Sequence, residues 1–446
     1  MKRHSITPIA ALAVAIFVAG FPAPAQETSQ TKAPALRLTL DDAIERGLRQ
    51  NLRVLLAGDD LSEAEATSRR ARALLLPKVV GTTSASVQNR SLRAFGIQGP
   101  GIPAVVDPFS LYDFRIAVQQ PLFDLSALRL GRASKKQEEA ARLTYQDARS
   151  VITRLVSALY LSAQSTEART QAAHSRVTTA EALTQLARDR RAEGVATGVD
   201  LLRAEVSLAN DQQRLLEAEN ENRRALLTLA RAIGVSLGTP LELAEPLAFH
   251  PEPRPELANA LADALATRAD YLALQAQREA VLNEIQSIKA RKLPRIDLRA
   301  DLGSTGRNLS ELDTTGTIQG TVTITLFDRD RGGEIAQKES RLQRIEHQLA
   351  DLRVGLEQEL REALMDLDSA EAQVAVAQKG QELAKRELAL ARTRFETGVA
   401  NNIEVTNAQE SVARAQENSI LALARYSDAR AALRRARGGA HRSTTP

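Results

Sequence analysis

An internal repeat constrains this chain more than any other feature. Leu186–Ser207 (LARDRRAEGVATGVDLLRAEVS) returns 204 residues later as Leu390–Ser411 (LARTRFETGVANNIEVTNAQES). In each copy a helical pattern runs into an abrupt Gly-Val with small and polar neighbours, and a second helical pattern opens with Asp200 or Glu404. Gly tolerates the positive φ that ends a helix, and an acidic residue suits the positive end of the next helix dipole. The chain therefore carries two long helical hairpins, and that duplication governs how every other pattern is read.

Composition agrees with rods rather than globules. Aromatic residues make up 3% of the 446 residues and Trp is absent, which leaves little material for several compact cores. Ala, Leu, Arg, Glu and Gln dominate, a mixture that favours long helices packed through small side chains. The net charge of +4 includes Lys2 and Arg3, and both signs are interspersed, so no nucleic-acid patch is evident. Residues 1–25 read as an export signal: Lys2 and Arg3, an apolar run from Ile9 to Gly20, then Ala23-Pro24-Ala25 ahead of Gln26. The alternative, a membrane anchor, needs ~20 apolar residues, more than that run supplies. There is no cysteine, hence no disulfide framework and no lipidated N-terminal Cys. No other stretch reaches the length of a spanning helix, whereas barrel strands would leave a much weaker signal.

The order of patterns is duplicated too. The spacing predicts a first helix from Leu40 to Leu75, ended by Pro77, then two strands on either side of the loop GIQGPGIPAVVDP. Tyr112, Phe114, Ile116 and Val118 alternate with Asp113, Arg115, Ala117 and Gln119, giving the second strand an apolar and a polar face. A helix from Ser126 to Glu193 would reach about 100 Å at ~1.5 Å per residue, too long for a globular domain. A return helix from Asp200 to Ile233 follows, and a Pro-rich break from Gly238 to Pro255 separates a first repeat, 26–245, from a second, 246–446.

The second repeat reads as a helix from Glu256 to Lys292, a strand pair, a long helix, the Gly398 tip and a return helix to Arg437. In its strands Ile296, Leu298, Ala300 and Leu302 alternate with Arg295, Asp297, Arg299 and Asp301, and Ile318, Gly320, Val322, Ile324 and Leu326 alternate with threonines and Gln319. Leu122-Phe123-Asp124 recurs 204 residues on as Leu326-Phe327-Asp328, whereas Pro77 and Pro294 are 217 apart. The difference falls within the strand pairs, so the first inter-strand loop is the longer. The second long helix has a seam of Ile345, Leu349, Leu352, Leu356, Leu360, Ala363, Leu367, Ala370, Val374, Ala377, Ala384, Leu388, Ala391 and Phe395, with Gln381 the one polar step. Its period of about 3.57 residues means helices side by side with little supercoil. An ordinary intracellular coiled coil would share this seam but not the export signal or the amphipathic strands.

Four strands of about nine residues suit a tilted membrane strand but cannot close a barrel alone. An open edge in lipid would leave backbone groups unpaired at several kcal/mol each, so other copies must complete it, and three would supply twelve strands. The two shorter helices, stacked end to end, match the length of one long helix and fit beside it.

With these residues in place, the chain resembles the TolC-like outer membrane efflux protein family. The resemblance rests on the duplicated Leu-Phe-Asp, on the duplicated Gly-Val tips with Asp200 or Glu404 six residues past the Gly, and on the helix-strand-strand-helix-helix order. It implies a mostly α fold with a small β part: long α-helical hairpins forming an α-barrel, plus four amphipathic strands per protomer in a shared trimeric 12-stranded β-barrel. It further implies a passive homotrimeric duct in the outer membrane, with its helical part in the periplasm. A periplasmic adaptor would dock on the tips at Gly194, Val195, Gly398 and Val399, and an inner-membrane pump would feed the duct indirectly. Neither catalysis nor a cofactor is implied. Glu404 and Asn407 match positions where some members place two acidic rings at the periplasmic mouth. A ring of Glu404 alone would attract cations; the plainer reading is a solvated Glu at a helix start. Asp200 matches an acid that latches the mouth, but its usual Arg and Tyr partners correspond to Ala400 and Phe395, which leaves Arg203 or Arg394 as substitutes, or a weaker closure.

The histidines (His4, His174, His250, His347, His441) lack ligand spacing, so no metal site is expected, and no nucleophile elbow or phosphate loop is present. Two rivals remain. A periplasmic adaptor or helical scaffold would normally show one hairpin flanked by compact β-domains. A duct for type I polypeptide secretion shares the fold and is not separable by sequence.

Overall fold

A computed structural model of the chain describes residues 35–194, 197–397, 399 and 402–439. The export signal expected at 1–25 lies outside them. The elements come in matched pairs. β1 (Leu36–Leu38), α1 (Leu40–Gln50), α2 (Leu52–Ala73), β2 (Lys78–Ser91), β3 (Val105–Phe123), α3 (Leu125–Ala192) and α4 (Gly198–Ala232) are followed by β4 (Leu241–Leu243), α5 (Leu257–Thr267), α6 (Ala269–Ala290), β5 (Arg295–Asn308), β6 (Glu311–Thr323), α7 (Asp330–Glu396) and α8 (Asn402–Ala436). α1 and α5 have 11 residues each, α2 and α6 have 22, α4 and α8 have 35, and α3 and α7 have 68 and 67.

Each of the shorter helices expected as one rod is in fact two. Asn51 breaks the first with extended backbone (ψ 127°), its Oδ1 capping Arg53 N at 3.1 Å and its Nδ2 donating to Ala232 O at 3.0 Å. Arg268 breaks the second with ψ 116° and spends its guanidinium on Asp270 and Glu359. Neither residue is Pro or Gly, so the apolar periodicity runs across the break unmarked. β1 and β4, a three-residue parallel pair, were not foreseen either, because a strand so short carries no alternation.

The long helices run as expected. α3 and α7 would each measure about 100 Å at ~1.5 Å per residue. α4 packs back along α3, and α8 along α7. α2 and α6 lie beside α3, and α6 also touches α7. Every named step of the α7 seam, from Ile345 to Phe395, is buried or half-buried. Two cores sit at equivalent levels of the repeats. Ile44, Val54, Ile152, Val156, Leu229 and Ile233 surround Tyr160, and Ala260, Ala264, Leu360, Leu364, Leu367 and Leu433 surround Tyr426. Both tyrosine hydroxyls donate to backbone carbonyls, of Leu38 and His250 respectively, at 3.0 Å. Burial drives the Tyr160 phenol up to about 12.

The strands form one antiparallel sheet in the order β2-β3-β5-β6, so the β3–β5 pairing joins the two repeats and both outer strands are open edges. The strands have 14, 19, 14 and 13 residues rather than about nine. β3 continues through Pro121 because a bulge there relieves the ladder between Pro121 and Phe123, and β6 stops at Thr323, short of the expected Leu326. On one face Val79, Val118, Ala300 and Ile318 lie in one row. Gly303 allows β3 and β5 to approach: a Cβ there would lie 2.4 Å from Phe114 O. Among the described residues no helix is long and apolar enough to cross a membrane.

Candidate functional site: hairpin tips and polar sheet face

At the first tip α3 ends through Gly194 (φ +74°), whose N–H donates to Arg191 O at 3.1 Å. A side chain here would be strained, which is why Gly stands at this turn. α4 then opens with a capping box. The Thr197 hydroxyl donates to Asp200 Oδ2 at 2.6 Å, Thr197 N–H reaches the same oxygen at 3.2 Å, and Asp200 N–H donates to Thr197 Oγ1 at 3.3 Å. The Thr197 hydroxyl, then its N–H, hold the Asp200 carboxyl below the usual carboxylate range, with a smaller pull from the Arg203 charge. Asp200 is thus engaged within its own turn. Thr197, which the sequence reading passed over, is the N-cap, and its signal was the Thr three positions before an acid.

At the second tip Val399 N–H closes back onto Arg394 O at 2.9 Å, and the Val399 side chain is 72% exposed. Arg394 Nε lies 3.2 Å from Glu404 Oε1, so two of the residues singled out from sequence meet. Arg203 and Asn407 project into solvent. Val195, Gly398 and Ala400 lie outside the described residues.

The hairpins touch each other just above the tips. The Arg190 guanidinium sits 4.4 Å from the Phe395 ring centroid, and Leu183 packs among Leu388, Ala391, Phe395, Val405 and Ala408. Phe395 is one of the positions where the family resemblance puts a latch partner. Arg190 was not picked out from sequence, although it stands 204 residues before Arg394 and is its counterpart in the repeat. Higher on α4, Asp211 accepts from Arg176 at 2.7 Å.

On the polar face of the sheet Arg115 bonds Asp301 across the β3–β5 seam, lies 3.3 Å from Asp113 and donates to Thr315 Oγ1 at 3.1 Å. Arg295 pairs with Asp297 at 2.8 Å. Where the helices kink, Arg268 is 6% exposed. Burial alone would lower its pKa, but its bonds to Asp270 and the Glu359 charge hold it above the ordinary value. A cleft of about 750 Å³ beside this level is lined by Arg154, Gln164, His250, Arg430 and Arg434 among others. Two of its arginines are answered by carboxylates, Arg154 by Asp428 at 2.7 Å and Arg430 by Glu252 at 3.4 Å. No group of three or more metal-ligating side chains occurs among the described residues.

Paired long hairpins carrying an open-edged amphipathic sheet define a channel subunit of the α-barrel and β-barrel class. The profile of the outer membrane efflux protein family matches residues 43–235 and 260–439, and the chain belongs to that family. It is 25% identical over 419 residues to the pyoverdine export outer membrane protein OpmQ of Pseudomonas aeruginosa, covering 91% of this chain and 86% of that one. It is 26% identical over 401 residues to the outer membrane protein OprJ of the same organism, covering 84% and 78%. Among solved structures, the outer membrane protein VceC of Vibrio cholerae matches with a TM-score of 0.74 at 21% identity over 90% of this chain and 96% of that one. CusC matches at 0.75 with 16% identity over 90% and 92%. The protein is accordingly an outer membrane efflux channel with a periplasmic helical part, a transport duct and not an enzyme.

Proposed function

We propose that three copies of this chain close a twelve-stranded barrel in the outer membrane and an α-helical tube below it, the outer component of a tripartite efflux system. Residues 26–245 and 246–446 act as its two structural repeats. The observation that carries this reading is the sheet. Its apolar face suits lipid, and its edges on β2 and β6 leave backbone groups that lipid cannot satisfy. Other copies of the same edges supply the missing partners. Substrate would arrive from an inner-membrane pump through a periplasmic adaptor seated on Gly194, Val195, Gly398 and Val399, the last of which offers an exposed apolar side chain. Asp200, Arg203, Arg394, Glu404 and Asn407 would line the mouth. Because Thr197 occupies Asp200 and Arg394 answers Glu404, charge latching at this mouth is weak, and Asp200→Ala should raise single-channel conductance little; a large rise would show a latch. The assembly is tested by mass measurement of the detergent-extracted outer membrane protein together with planar-bilayer recording. A trimer that conducts supports the reading, and a monomer without pore activity overturns it.

A further inference from the structure

Residues directly opposite one another on antiparallel strands point to the same side of a sheet, so the register sorts the polar face into transverse rows. One row reads Lys78, Gln119, Arg299, Gln319 from β2 across to β6. The next two rows outward read Val80, Ala117, Asp301, Thr317 and then Thr82, Arg115, Gly303, Thr315. The row lies near the helix-bearing end of the sheet, since Lys78 opens β2 and Arg299 is close to the start of β5.

The charges on either side of this row are engaged with one another. Inward, Arg295 faces Asp297 and, at 3.7 Å, Asp124; outward, Arg115 holds Asp301 and Asp113, with the Asp301 side chain only 10% exposed. The second carboxylate of each group, Asp124 or Asp113, belongs to a residue roughly 17–20 Å along β3 from Gln119, so the excess negative charge lies away from the row. Lys78 and Arg299 are solvent-exposed, and among the described residues neither forms an ion pair. The next exposed carboxylate of this face outside an ion pair is Asp313, opposite Thr305. It lies three rows further out, about 20 Å along the strand and beyond two Debye lengths at physiological ionic strength. At the tips Glu404 is answered by Arg394, and the Asp200 carboxylate stands near the exposed Arg203, whose charge helps to lower its pKa, so the mouth residues carry two cations for two carboxylates and do not impose the opposite preference.

We propose that the Lys78–Arg299 row is the charge filter of the duct, and that the barrel passes anions in preference to cations. The inference rests on the duct reading above, in which three copies close with their polar faces inward. Each copy then adds two unpaired cations to one ring, as rings of like charge do in selective pores. The chain carries one step of this selectivity at a level where the barrel wall, rather than the mouth, meets the passing solute. A solute bearing carboxylate or phosphate groups is the class this ring favours.

The test is a reversal potential measured across a KCl gradient with the full-length protein in a planar bilayer. Each ring cation within about 7 Å of the ion path in water should draw chloride in roughly threefold and push potassium out by as much, so chloride should be preferred over potassium by roughly sevenfold per cation. Lys78→Gln combined with Arg299→Gln should bring the ratio close to unity in a pore that still forms and conducts. The chain has no cysteine, so Arg299→Cys in the Lys78→Gln background can be modified on the assembled pore. A cationic methanethiosulfonate reagent should restore anion preference, and an anionic one should invert it. A conducting pore whose selectivity ignores both substitutions and the sign of the label overturns the filter and leaves the duct standing. A wild-type protein that forms no pore overturns the duct itself, and the filter with it.

Discussion

At the scale of single residues, the tips are held by a local bond that was readable in principle. Thr197 and Asp200 satisfy the first orphan N–H groups of α4 reciprocally, and Thr197→Ala should destabilise that helix start by about 1 kcal/mol. Hydrogen exchange over residues 198–204 would show faster exchange in the variant, with the rest of α4 unchanged. Because the folded Asp200 pKa is depressed, the cap's contribution is complete above the ordinary carboxylate range and is lost only as pH falls through the still lower folded value. Asp147 behaves oppositely. Burial first, and then the neighbouring Asp270 charge, raise its pKa, so its contribution is present in acid and lost as pH rises through the folded value. Asp147→Asn should therefore raise the thermal midpoint of the detergent-solubilised protein at pH 7, with the gain shrinking toward pH 4. Nothing in sequence pointed to Asp147, since its partners come from other helices.

At the scale of elements, periodicity identified the rods and missed their joints. The seam from Ile345 to Phe395 is an intrinsic property of α7, because a long helix presents the same face to its neighbours for its whole length. Leu360, fully buried among Ala264, Leu364 and Tyr426, should cost about 3 kcal/mol as Leu360→Ala, measured as a loss of thermal or chemical stability. The kinks are different in kind. Asn51 and Arg268 have no helix-breaking backbone of their own; Ala232 O in one case and Asp270 with Glu359 in the other hold them extended. The contacts with Ala232 O and Glu359 are tertiary and invisible to any local pattern, whereas Arg268 and Asp270 stand two residues apart. The strands show the same division: alternation fixed which residues share a face, while their length beyond nine residues depended on pairing partners that carry β3 past Pro121.

At the scale of the whole molecule, the sheet is the part that one chain leaves unfinished. Ile318 is 81% exposed on the apolar face, and Ile318→Arg should destabilise the membrane-inserted state by about 2–4 kcal/mol if that position lies near mid-bilayer. Thr317→Arg, one residue away on the polar face, should leave insertion intact. Urea titration of protein folded in liposomes would separate the two, and equal effects would mean the faces are not lipid and water. By itself, the sequence determined the duplicated order of elements, the length of the rods, the alternation of the strands and the residues at the two turns, because each follows from local periodicity and backbone preference. Only the tertiary structure decided that β3 pairs with β5 across the repeats, that both shorter helices bend, that Arg190 reaches Phe395 and that Lys78 and Arg299 share a row. Those facts depend on which residues distant in the chain are brought within bonding distance, and no spacing along one strand or helix encodes that.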